Sequence, residues 1–72
     1  MKDEVFLRKL GKKIVELRTE NEISQNELAK RIGSKNTHVR RIERGEVSSS
    51  INMLRRIAEE LGVSISELVN ID

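Results

Sequence analysis

Residues 33–45 read GSKNTHVRRIERG and gather the densest positive charge of the chain together with its single histidine. Lys35, His38, Arg40, Arg41 and Arg44 are basic, Asn36 and Thr37 add an amide and a hydroxyl, and only Val39 and Ile42 are branched apolar residues. This set has no nucleophile–base pair and no paired carboxylates, so it offers no route to bond-breaking chemistry. His38 has no cysteine near it and no carboxylate constellation around it, which leaves a phosphate contact or a packed polar neighbour as its role. What these residue types can do is lie against an anion. Arginine and asparagine can read base edges, threonine can touch a thymine methyl, and the remaining cations can neutralise phosphates. The plain alternative is a solvated helix face that happens to be basic.

The rest of the chain bounds the choice. Seventy-two residues are expected to make one domain, 1–72, with a small core. With no cysteine there is no disulfide, no thiolate metal site and no thiol nucleophile. No apolar run approaches the roughly 18 residues of a membrane span, and the N-terminal MKDEVF carries acids where a signal peptide would be basic. The expectation is a soluble, cytoplasmic protein with no cofactor, metal or membrane association. The net charge of +2 decides nothing, but its distribution is polarised. Residues 1–29 balance six bases with six acids, residues 30–44 set six bases against Glu43 alone, and residues 45–72 set two bases against five acids. The positive block is central.

Helix signals dominate. Phe6, Leu7, Leu10, Ile14 and Leu17 recur at about 100° per residue and predict an amphipathic helix over roughly 3–20. Ser24 and Glu27 have capping-box spacing and open a second helix, with Leu28, Ala29 and Ile32 inward and Gly33 as its stop. A third runs from Lys35 or Asn36 to Arg44 and ends at Gly45. Ser50 caps a fourth, whose face is Ile51, Leu54, Ile57, Ala58 and Leu61, ended by Gly62. Ser64 and Glu67 form a second capping box and open a short fifth with Leu68 inward. The fold class is therefore a compact all-α, five-helix domain.

The second and third helices are separated by a short turn containing Gly33, and Ala29 is small enough to let the third pass close. At about 100° per residue, Val39 and Ile42 share one flank of the third helix. Thr37, Arg40, Arg41 and Arg44 lie on the opposite flank, Asn36 at its N-terminal edge, and His38 at the border of the core. That outward face is short, cationic and rich in hydrogen-bonding groups, a size and chemistry suited to a DNA major groove.

From LGKKIVELRTENEISQNELAKRIG through VRRIERG to INMLRRIAEELGVSISELV, about residues 8–70, the chain resembles the lambda-repressor/Cro type of helix-turn-helix domain, the xenobiotic-response-element family. The helix-turn-helix itself spans about 24–45. The resemblance implies base-reading roles for Asn36, Thr37 and Arg41, and DNA-backbone contacts from Gln25 and Arg44, with Lys35, His38 and Arg40 completing the backbone set. It also implies a structural ion pair between Arg18 and Glu43. Four positions depart from the family pattern. Glu22 replaces a frequent glycine, so Asn21 or Glu22 must accept a left-handed backbone. Lys35 stands where a capping Ser or Thr is common, Glu46 where a base is common, and Ser49 where proline is common.

The function implied is a sequence-specific, double-stranded DNA-binding transcriptional regulator, a bacterial or phage repressor reading a palindromic operator. The alternative is an antitoxin-like or other protein-binding module in which partner contact dominates. An enzyme is not expected. Homodimerisation is expected, with the fifth helix and C-terminus as the contact surface, because Val63, Ile65, Val69 and Ile71 are more apolar than a lone short helix needs. Lys12, Lys13, Arg55 and Arg56 read as solvated.

Overall fold

The computed structural model describes residues 2–71. Five helices follow in chain order: α1 (Lys2–Glu20), α2 (Gln25–Arg31), α3 (Asn36–Glu43), α4 (Ile51–Glu60) and α5 (Ile65–Val69). They close on one core made of Leu10 and Ile14 of α1, Ile23, Leu28, Ala29 and Ile32 around α2, Val39 and Ile42 of α3, Leu54, Ile57, Ala58 and Leu61 around α4, and Leu68 of α5. No whole polar residue belongs to this core among the described residues, although the side chain of Glu43 is almost fully covered beside it.

Four helices end in the same hydrogen-bond pattern. After α1, Ile23 N–H reaches Arg18 C=O and Glu22 N–H reaches Thr19 C=O, both at 3.0 Å. The ends of α2, α3 and α4 repeat this pair of bonds, with Gly33, Gly45 and Gly62 at the left-handed position. At the end of α1 that position is Glu22, at φ 56°. A side chain there costs about 1–2 kcal/mol that glycine would not incur.

Helix starts differ in quality. At α5, Ser64 Oγ accepts from Glu67 N–H and the Glu67 carboxylate accepts from Ser64 N–H, a complete capping box. That main-chain bond from Ser64 holds the Glu67 carboxyl below the usual carboxylate range. At α2 the box is half made: Ser24 Oγ accepts from Glu27 N–H at 3.0 Å, but the Glu27 carboxylate turns to Arg31 one turn on, at 3.1 Å. The i, i+4 ion pair outcompetes the return bond. Lys35 precedes α3 with no side-chain cap bond.

Three residues assigned to helix faces lie outside the core: Phe6 is 43% exposed, Ile51 is 67% exposed, and Leu7 is only half-buried. Val63, Ile65, Val69 and Ile71 are half-buried against the protein's own core, so their apolar surface is partly spent within the fold.

Candidate nucleic-acid interface

The α2–α3 turn is built from Gly33, and Ser34 N–H donates to Ala29 C=O at 2.8 Å. Val39 and Ile42 seat the inner flank of α3 in the core. Thr37, Arg40, Arg41 and Arg44 are exposed, while Asn36 and His38 are half-buried at its edges. Gly33, Ser34, Lys35, Thr37, His38 and Arg41 line one shallow surface depression. Among the described residues Lys35, Arg40 and Arg41 form no ion pair, so their charges are uncompensated at this surface. Arg44 is different, since Glu46 approaches it to 3.9 Å and reduces the positive potential beyond the end of α3.

Behind this face lies a polar junction of three helices. Arg18 Nε donates to Glu43 Oε2 at 2.7 Å and Arg18 Nη2 to Glu43 Oε1 at 3.2 Å. Arg18 Nη1 also donates to Ile23 C=O at 3.0 Å. Gln25 Nε2 completes the set, donating to Glu43 Oε1 at 2.7 Å. Glu43 thus accepts three hydrogen bonds and ties α3 to the end of α1 and the start of α2. Its side chain is 5% exposed and that of Arg18 16%. A two-pronged guanidinium–carboxylate contact fixes orientation as well as distance.

The helix-turn-helix family model matches residues 14–68, more than half of the chain. The chain belongs to this family of lambda-repressor-like DNA-binding domains. As such it is a DNA-binding module of transcriptional regulators and not an enzyme. Among solved structures it is similar to the restriction-modification controller protein C.AhdI from Aeromonas hydrophila, at 34% identity and a TM-score of 0.83, over 86% of this chain and 94% of that one. It is also similar to PlcR from Bacillus thuringiensis, solved in complex with the peptide PapR7 and DNA, at 31% identity and a TM-score of 0.82, over 89% of this chain but 22% of PlcR. The fold is shared with the clp gene regulator ClgR from Corynebacterium glutamicum, at 22% identity and a TM-score of 0.86, over 89% of this chain and 68% of that one. Comparison with curated protein sequences yields no significant match.

In this helix-turn-helix domain Thr37, Arg40, Arg41 and Arg44 are exposed on or at the end of α3, Lys35 is exposed just before it, and Asn36 and His38 are half-buried. Gln25 stands apart, at the start of α2 with its amide held by Glu43. Two residues that position α3 escaped sequence reasoning. Asn26 Oδ1 accepts from Asn36 Nδ2 at 2.7 Å, linking the first turns of α2 and α3. Asn26 looks like filler inside a capping box, and only the fold brings it to Asn36. Gly11 is the other. A Cβ there would stand 2.6 Å from the main-chain oxygen of Ile42, so its bare backbone lets α1 press against the end of α3. A glycine inside an amphipathic helix was the available signal.

No helix among the described residues is long and apolar enough to cross a membrane, and no cluster of His, Cys, Asp and Glu there could hold a metal ion.

Proposed function

We propose that this domain is a sequence-specific repressor that binds a palindromic operator as a homodimer in the cytoplasm. The observation that carries the reading is the outward face of α3, where uncompensated Arg40 and Arg41 flank Asn36 and Thr37 on a rigidly seated helix. Asn36, Thr37 and Arg41 read base edges in the major groove. Lys35, His38, Arg40, Arg44 and Gln25 hold phosphates and set the register. Glu43, through Arg18 and Gln25, keeps α3 at a fixed angle to α1 and to the start of α2, where Gln25 lies. Support for a regulator of compact type comes from the controller protein C.AhdI, whose length the alignment spans almost fully.

One α3 reads only a few base pairs, so a useful operator needs two. Half-sites one helical turn apart, about 34–36 Å, suit two copies of a domain measuring 31 × 23 × 21 Å. The test is selection of bound duplexes from a random library, followed by sedimentation of the protein on the selected DNA. A palindromic consensus bound by two copies supports the proposal. Binding of random and selected duplexes with equal affinity, or a monomer on a non-palindromic site, overturns it.

A further inference from the structure

We infer that DNA binding by this domain takes up a proton at His38, so that acidity strengthens its hold on the operator. This rests on the proposal that α3 lies against DNA. Histidine is the side chain that ordinarily changes charge between about pH 5 and 8, and the chain holds one histidine and no cysteine. His38 is half-buried in the first turn of α3, beside the apolar core. With Gly33, Ser34, Lys35, Thr37 and Arg41 it lines the shallow depression at the α2–α3 turn. The charged groups facing it there are Lys35 from the turn and Arg41 from α3 itself, while α1, α2, α4 and α5 contribute none.

No carboxylate is on hand to hold a charged imidazole. The sequence has no acidic residue between Glu27 and Glu43, and the Glu43 carboxylate is taken by Arg18 and Gln25. Among the described residues His38 forms no ion pair. In the free protein, then, no anion favours the imidazolium form. On DNA a backbone phosphate over the depression meets Lys35 and the imidazole together. A neutral imidazole has one N–H to donate, whereas imidazolium has two and carries a charge, and charge-assisted bonds are about twice as strong as neutral ones. DNA therefore selects the charged form, and by reciprocity protons favour the DNA complex by the same factor. Affinity is highest where free His38 is already charged, falls as pH rises, and levels off where the bound imidazole is neutral too.

The experiment measures affinity for the selected operator from about pH 5 to 8, at two salt concentrations, for the wild type, His38→Gln and His38→Arg. Wild-type affinity is expected to fall about 3- to 10-fold per domain across that range, and the salt slope by up to about 0.9 per domain with it. His38→Gln cannot take up a proton and is expected to bind at the weaker, high-pH level throughout. His38→Arg carries a permanent charge and is expected to stay near the stronger level at every pH. Because the chain holds a single histidine, its imidazole resonances are identified in the wild type without any variant. On the operator they are expected to report the charged form at a pH where those of the free protein report the neutral one. Sequence-selective binding that does not vary with pH, a pH dependence that persists in full in His38→Gln, or imidazole resonances that DNA leaves unchanged overturns the inference alone. No affinity for duplex DNA at any pH overturns the proposal that α3 lies against DNA and this inference with it.

Discussion

Replacing Glu43 with alanine should be among the most damaging single changes the domain can suffer outside its apolar core. The carboxylate accepts two bonds from Arg18 and one from Gln25, and only 5% of its side chain is exposed. Its removal leaves the Arg18 guanidinium, itself 16% exposed, with Ile23 C=O as its remaining described partner. Stranding one member of a buried pair costs about 3–5 kcal/mol, and the residual exposure of Arg18 points to the lower end, about 3 kcal/mol. A 72-residue domain has roughly 4–11 kcal/mol of total stability at about 0.05–0.15 kcal/mol per residue. The variant therefore loses a quarter or more of the whole. In urea melts followed by circular dichroism, with a slope of about 1 kcal/mol per molar, the midpoint should fall by about 3 M or the protein should be unfolded without denaturant. Replacing both partners, Arg18→Met with Glu43→Leu, should cost less than Glu43→Ala alone, since no charge is then stranded. Single losses that add in the double variant, or a Glu43→Ala loss below about 1 kcal/mol, would refute the account of this junction.

Gly11→Ala improves helix propensity by about 1 kcal/mol but drives a methyl into the Ile42 and Glu43 carbonyls. Thermal melts should show a net loss of about 1–3 kcal/mol. Glu22→Gly should stabilise by about 0.5–1 kcal/mol in the same assay, because the strained left-handed backbone is relieved at the cost of a more flexible unfolded chain. Lys35→Ser supplies the missing cap of α3 and should add about 1 kcal/mol of stability. The same substitution should weaken DNA binding without altering base preference and reduce the salt slope by about 0.9, measured by titration at several salt concentrations.

The helix ends were legible because their signals are local. Gly33, Gly45 and Gly62 stop helices through the backbone freedom of glycine itself, and the departure at Glu22 announced a left-handed residue that the structure places there. Ser50 and Ser64 likewise cap through bonds spanning three residues. What the chain alone left hidden depends on a second element. Glu27 had the spacing to close a box, yet Arg31 competes for the same carboxylate. Phe6 and Ile51 continue the apolar periodicity of their helices yet stay exposed in the fold. Asn26 and Gly11 gain their meaning from α3, which passes one and crosses the other. A pattern along one helix shows which face is apolar; it does not show which of those residues the fold covers.

The central claim is that α3 reads DNA rather than merely gripping it, and comparing Arg41→Ala with Arg44→Ala tests this most directly. Both side chains are exposed on the same helix, but Arg41 lies one turn past Thr37, whereas Arg44 caps the C-terminal end beside Glu46. The measurement is binding to a panel of single-base operator variants at two or more salt concentrations. Arg41→Ala should cost about 1–3 kcal/mol on the preferred site and flatten the preference at one base pair. Arg44→Ala should weaken all sequences alike and lower the salt slope by up to about 0.9. If Arg41→Ala changes only the salt slope and leaves every base preference in place, α3 does not read DNA through Arg41 and the claim fails.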